Sequence, residues 1–295
     1  MRLGIDIGGT KTAVAAVSTD GSVIAQRSAP SGRGPLEVTR VAALLARETV
    51  ALAGIPADAV GACMPGMVDP DTGVVRHAVN LDVDELDLAG GLRHALDLPV
   101  SVDNDVKAAA LGAALHVGSS GGVNTLVYLN LGTGLAAAVV RDGRVLRGPD
   151  GAVGEIGHMP VGGLAPCQCG QIGCLETLAS GSGVARLWRP ESSQSADPFV
   201  AAAEGNPQAA KAAAMLADGV AQALQMLAVT CGPDRVVIGG GVSRAQGLGE
   251  AIKVAIEARE ASSDFVASMH LASRFEILPP DLPIASLGAS LLPTR

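Results

Sequence analysis

Apolar residues run together or alternate over 2–7 and 12–18, and Asp20-Gly21 turns the chain into a third such run at 22–28, which predicts three strands joined by tight turns. Helical spacing of apolar positions covers roughly 36–53, 85–96, 104–117, 208–231 and 248–260. Short apolar runs at 58–63, 98–102 and 235–238 lie between these segments and read as buried strands. Helix and strand therefore alternate, and an α/β class is expected. Gly, Pro and Ser thicken around 30–35 and 189–198, which read as surface loops and not as long linkers.

The opening pattern returns near 125–147. There Asn130 stands where Asp6 stood, Gly132-Thr133-Gly134 where Gly8-Gly9-Thr10 stood, and Asp142-Gly143 where Asp20-Gly21 stood. The two copies differ by two residues between glycine turn and hairpin turn, which a shorter second strand explains. A repeat at about half the chain length predicts two related lobes. The division expected is an N-terminal lobe over 1–117, completed by a C-terminal helix over 284–295, and a second lobe over 118–283.

Composition sharpens this picture. The chain has 295 residues and a formal charge of −8, without a run of basic residues, which argues against a nucleic-acid surface. Hydrophobic residues make up 48% but aromatics only 2%, so the core must be built from Ala, Val, Leu and Ile. Uninterrupted apolar stretches of membrane-spanning length are absent, and the first residues enter a strand without the pattern of a secretory signal, so no membrane partner and a cytoplasmic location are expected. Reducing conditions there argue against structural disulfides among the five cysteines.

Five stretches carry candidate chemistry. DIGGTKT (Asp6, Gly8, Gly9, Thr10, Lys11) offers backbone N–H groups, hydroxyls and a lysine suited to phosphate oxygens, or else forms an ordinary tight hairpin. The second turn, Gly132-Thr133-Gly134, strengthens the phosphate reading because two such nests can clamp a polyphosphate. VIGGGVS, with Gly240 and Gly241, lets backbone approach a flat ring, or is a tight connection from strand to helix. In SVDND, Asp103 or Asn104 suits the cap of the helix that follows, while Asp105 in its first turn is either a further cap or a proton acceptor kept ionised by the helix dipole. Finally His158, Cys167, Cys169 and Cys174 form a Cys₃His set suited to a closed, tetrahedral, structural zinc, the alternative being a cluster of free thiols. Glu155 and Glu176 flank that set and are read as hydroxyl-recognising groups outside the metal shell.

Taken together and in order, Asp6-Ile7-Gly8-Gly9-Thr10-Lys11, Asn104-Asp105, Gly132-Thr133-Gly134, Glu155-x-x-His158, CQCGQIGCLE and Gly239-Gly240-Gly241 resemble the ROK family of bacterial sugar kinases, its glucokinases best of all. The resemblance implies a two-lobed actin-like ATPase fold of hexokinase type, with ribonuclease-H-like lobes and the active site in the cleft. It implies ATP-dependent phosphorylation of a hexose at its 6-hydroxyl, glucose being the leading acceptor. Asp105 would be the catalytic base, and Asn80, Asn104, Glu155, His158 and Glu176 would hydrogen-bond the sugar. Asp6 would help hold Mg²⁺, with Gly8, Gly9, Thr10, Lys11, Gly132, Thr133 and Gly134 near the phosphates of ATP and Gly240 and Gly241 beside the adenosine. A homo-oligomer, dimer or tetramer, is the family's habit. Alternatives are a kinase of an amino sugar such as 3-amino-3-deoxyglucose, glucosamine or an N-acylated hexosamine, and a non-catalytic sugar-binding regulator. The family's repressors carry an additional helix-turn-helix ahead of the kinase-like region, which the early first strand argues against.

Two departures bear on the sugar. Lys107 and Ala113 replace an Asn and a Glu usual in the helix after Asp105, and the sugar-side loop reads NLDVDELDL from Asn80 instead of carrying proline and tryptophan. One of Asp82, Asp84 and Glu85 would face the hexose, or these acids simply begin a solvated helix at 84–96.

Overall fold

A computed structural model describes residues 1–118, 123–149, 151–191 and 195–294. The expected loop at 189–198 and the expected helix at 284–295 run partly outside the described residues, at 192–194 and at 295. The backbone divides into two units, one of residues 1–122, 143–145 and 282–295, the other of residues 123–142 and 146–281.

In the first unit, β1 (Arg2–Ile7), β2 (Lys11–Val17) and β3 (Val23–Pro30) form the expected antiparallel meander. Helix α1 (Pro35–Ala53) begins with proline at its first turn and ends at Gly54 in the left-handed region, the usual asymmetry of helix signals. It buries Val38, Val41, Ala42, Leu45, Ala46 and Thr49, one stripe at three- and four-residue spacing. β4 (Ala59–Met64) then pairs parallel to β1.

The chain next builds something the periodicity does not predict: a small antiparallel sheet of β5 (Met67–Val68), β6 (Val74–Ala78) and β7 (Val83–Asp87). The helix expected from residue 84 or 85 therefore begins later, as α2 (Leu88–Leu96), capped by Asp87, whose carboxylate accepts the Gly90 N–H at 2.8 Å. Val83 and Leu86 are buried three residues apart and mimic helical spacing, because β7 is an edge strand that leaves Asp84 and Glu85 both exposed. β8 (Val100–Asn104) completes the main sheet in the order β3-β2-β1-β4-β8 and leads into α3 (Asp105–Gly118).

The second unit repeats the plan. β9 (Thr125–Leu131), β10 (Leu135–Arg141), β12 (Arg235–Gly239) and β13 (Phe275–Ile277) lie in the order β10-β9-β12-β13, and the two-residue β11 (Arg144–Val145) falls among the residues grouped with the first unit. In both sheets a first strand pairs antiparallel with the next and parallel with a later one. Asp6 lies opposite Cys63 in one, and Asn130 opposite Gly239 in the other. The internal repeat is thus a repeat of topology.

Between these strands run α4 (Gly181–Leu187), α5 (Pro198–Ala203), α6 (Pro207–Cys231), α7 (Leu248–Ala261) and α8 (Asp264–Ala267). Helix α6 meets the length and apolarity of a membrane span, yet 56% of that window is buried, with Ala212, Leu216, Val220 and Leu224 in the unit's core. It is the core helix expected where aromatics are scarce. GGG does not lead straight into a helix: a 3-10 turn over Val242–Arg244 intervenes before α7.

Last, α9 (Ile284–Ser290) returns to the first unit and packs on β1, β4 and α3. Glycines make this approach possible: a Cβ on Gly4 would lie 1.7 Å from Ser286 O, and one on Gly288 1.7 Å from Ala108 O.

Candidate active site

At the end of β8, Asn104 and Asp105 both accept the Val106 N–H, Asp105 through Oδ1 at 2.9 Å. Asn104 Oδ1 accepts the N–H groups of Val106 at 3.0 Å and Lys107 at 3.3 Å, capping α3, while its Nδ2 donates to Gly66 O at 3.3 Å. The buried Asp103 accepts the Asn104 N–H at 2.8 Å, fixing the peptide that carries both residues. Of the two expected caps, Asn104 is the one that reaches the helix amides. Asp105 is then the first residue of α3, with its carboxylate at the positive end of the helix.

Asp6 stands at the C-terminal end of β1, opposite Cys63. Burial, and next the charge of Asp105, push its carboxyl up to about 6, opposed by a hydrogen bond from Cys63 Sγ at 3.8 Å and by Lys11. Cys63 escaped the sequence reading because a lone cysteine in an apolar run reads as core, which it also is, at 0% exposure.

The turn after Asp6 is a tight hairpin in which Gly8 N–H donates to Lys11 O at 3.0 Å. Ser31, read only as part of a surface loop, steadies it by donating to Gly8 O at 2.6 Å. A Cβ on Gly9 would lie 3.1 Å from that of Asn80, so Asn80 rests against the turn, and Thr10 and Lys11 remain exposed. Two of the acids that follow Asn80 are paired, Asp82 with Arg33 at 3.0 Å and Glu85 with Arg76 at 2.7 Å, and Asp84 is exposed.

In the second unit the matching turn also closes on itself, Gly132 N–H donating to Gly134 O at 3.1 Å. Thr133 is exposed. Glu176 accepts the Leu135 N–H at 3.0 Å beside this turn, and a Cβ on Gly134 would lie 2.4 Å from its Oε2, so glycine there makes room for the carboxylate. The segment Glu155–His158 lies along β10, where a Cβ on Gly157 would meet Leu135 O at 2.1 Å. Glu155 is exposed and His158 half-buried.

His158, Cys167, Cys169 and Cys174 bring their ligand atoms within 4.8 Å of one another. Cys167 Sγ lies 3.6 Å from His158 Nδ1, and Cys169 Sγ 3.7 Å from Cys174 Sγ. Tetrahedral zinc with its usual bond lengths spaces such atoms roughly 3.5–3.8 Å apart, so the donor set fits that ion in type and in geometry. Gln171, passed over in the sequence, ties the knuckle together: its Nε2 donates to His158 O at 3.0 Å and lies 3.4 Å from Cys169 Sγ. Hydrogen bonds from the Gln171 backbone and side chain hold the Cys169 thiol down to about 6, while burial pushes its neighbour Cys174 up to about 12, so of this pair Cys169 is the readier thiolate. Cys167 Sγ also reaches Glu176 Oε1 at 4.0 Å, linking the knuckle to the second glycine turn.

Gly240, at φ 97°, passes close over Leu131 O, and Ser243 donates to its carbonyl at 2.8 Å. Gly241 faces open space.

The family model described as "ROK family" matches residues 2–274. This chain belongs to the ROK family. The resemblance read from its motifs therefore holds over almost the whole sequence. It is 35% identical over 268 residues to a glucokinase of Halalkalibacterium halodurans, covering 82% of this chain and 81% of that protein. It is 32% identical over 256 residues to an N-acetylmannosamine kinase of Escherichia fergusonii, with 83% and 84% covered. Among solved structures, a ROK family glucokinase from Streptomyces griseus in complex with glucose and AMPPNP superposes with a TM-score of 0.76 at 27% identity, covering 99% of this chain and 98% of that one. The two-lobed actin-like ATPase fold is the fold of this chain.

Proposed function

We propose that this ROK protein transfers the γ-phosphoryl group of ATP to the 6-hydroxyl of a hexose, glucose first among acceptors. The observation that carries the reading is the place of Asp105 in the first turn of α3, beside the cap made by Asn104 and with its Oδ1 accepting the Val106 N–H at 2.9 Å. The Asp105 carboxylate accepts the hydroxyl proton as the sugar oxygen bonds to phosphorus and the bond to the departing ADP breaks, giving a sugar 6-phosphate. Asp105 lies in the first turn of α3, where the helix dipole favours negative charge.

Asp6 would hold Mg²⁺, which supplies charge neutralisation on the transferring phosphoryl group. Lys11 and the hydroxyls of Thr10 and Thr133 are placed at the two glycine turns for phosphate oxygens. Asn80, Asn104, Glu155, His158 and Glu176 bind and orient the sugar, with the last two held by the knuckle of Cys167, Cys169 and Cys174. That knuckle holds structural zinc and takes no part in the transfer.

Similarity to an N-acetylmannosamine kinase supports one second reading, an N-acylated hexosamine as acceptor. An ammonium-bearing acceptor would compete with Arg33 for Asp82 and with Arg76 for Glu85, and would find Asp84 exposed. The test is a comparison of kcat/KM for glucose, mannose, glucosamine and N-acetylmannosamine with ATP. Glucose at the head of the series supports the first reading, and N-acetylmannosamine at its head replaces it with the second.

A further inference from the structure

The cysteines of the knuckle differ in their access to solvent. Cys167 and Cys174 are buried, whereas Cys169 is exposed. A tight turn, in which Gly170 N–H donates to Cys167 O at 3.1 Å, folds the segment back and sets Cys169 Sγ 3.7 Å from Cys174 Sγ. Cys167 Sγ lies instead against His158 Nδ1 at 3.6 Å and Glu176 Oε1 at 4.0 Å. An exposed thiol beside a buried one is the arrangement of an attacked and a resolving cysteine.

The same loop carries two groups assigned above to the sugar. His158 is itself one of the four metal donors, and Glu176 follows Cys174 by two residues. Between them, Leu175 N–H donates to Met159 O at 2.9 Å and Val161 N–H to Gly173 O at 2.8 Å, so the segment of the histidine and that of the glutamate are laced together. A change of bonding at Cys174 is transmitted to both.

We propose that the knuckle is also a peroxide-sensitive switch, in which Cys169 and Cys174 are oxidised to a disulfide, the ion is released and the sugar site loses its frame. The proposal rests on the zinc and sugar assignments above. As a metal ligand Cys169 is a thiolate, the form that attacks a peroxide. Its sulfur bonds to one oxygen of hydrogen peroxide, the O–O bond breaks, hydroxide departs, and Cys169 becomes a sulfenic acid. The Cys174 thiolate then attacks that sulfur, so that the S–S bond forms, the S–O bond breaks and a second hydroxide departs. Two electrons have passed from the two sulfurs to the peroxide. His158 and Cys167 alone remain as donors, half of the set a closed tetrahedral site requires.

The experiment treats the full-length protein with hydrogen peroxide and follows zinc release with a chromogenic chelator, the cysteine pairing by mass spectrometry of proteolytic peptides, and glucose affinity by calorimetry. One zinc released for each Cys169–Cys174 bridge formed is expected. The dissociation constant for glucose should rise at least about tenfold, the scale of losing the hydrogen bonds of His158 and Glu176. Dithiothreitol with added zinc should restore both. Cys231→Ser, which removes the thiol at the end of α6, is expected to respond as wild type does. A bridge through any other pair, zinc loss that leaves glucose affinity intact, or protection by Cys231→Ser overturns the proposal. Zinc and glucose affinity that both survive excess peroxide remove this proposal alone, whereas protein that carries no zinc before treatment removes the metal assignment beneath it.

Discussion

Asp105 and Asn104 are neighbours in sequence and share the Val106 N–H, while Asn104 alone also accepts that of Lys107. Because Asn104 caps the helix and an asparagine at 105 keeps an amide oxygen for Val106, replacing Asp105 by asparagine leaves the cap in place and removes the proton acceptor. Asp105→Asn is expected to lower kcat by about 10²–10⁴, the usual contribution of a general base, while the dissociation constant for glucose measured by calorimetry stays within a few-fold. A variant that keeps a tenth of wild-type kcat would remove Asp105 from the catalytic role. Asp105 was legible in the sequence because an acid directly after a strand and before an alanine-rich helix has few places to be. Cys63, Ser31 and Gln171 were not, since a thiol in an apolar run, a serine in a loop and a glutamine among cysteines give no signal until the fold brings them to Asp6, Gly8 and His158.

Among the elements, the knuckle that carries His158 was the clearest in the sequence, its three cysteines and histidine lying within seventeen positions and meeting at zinc-like spacing. One zinc per chain is expected on metal analysis of protein purified without added zinc. Its removal by a chelator should weaken glucose binding before the lobes unfold, because His158 and Glu176 are held by that loop. Full activity with much less than one zinc per chain would contradict this. The β5–β7 sheet was illegible for the opposite reason: an edge strand with acids on both faces has no alternation to read. A further element-scale expectation concerns Asp234, which holds the start of β9 by accepting the N–H groups of Asn124 at 2.9 Å and Thr125 at 2.8 Å. These bonds hold its carboxyl below the usual range, so its stabilisation is present above about pH 4 and is lost as the pH falls through the lowered value. Asp234→Ala should therefore cost at most about 1 kcal/mol at pH 7 for so exposed a group, with the gap to wild type narrowing in acid. Urea unfolding at pH 7 and pH 3 checks the sign.

At the scale of the whole molecule, a single plan used twice explains why so much was visible in one sequence: Asp6 and Asn130 end equivalent strands, and each strand runs into a glycine turn. The return of the chain was an expectation of the sequence; what it did not disclose was the close packing of α9, whose glycine contacts in the first unit leave no apolar stripe to read. Gly288→Ala, forcing a Cβ to 1.7 Å from Ala108 O, is expected to cost several kcal/mol or prevent folding, while Gly118→Ala, in open space at the end of α3, is expected to be neutral or slightly stabilising. Thermal unfolding of the pair distinguishes close packing from a general intolerance of alanine. The central claim, that this chain is a kinase for the hexose 6-hydroxyl, is tested most directly by incubating the protein with glucose, ATP and Mg²⁺ and locating the product's phosphorus by NMR. One ADP and one glucose 6-phosphate for each ATP consumed is the expected result; ATP left intact, or phosphate on any other sugar oxygen, would contradict it.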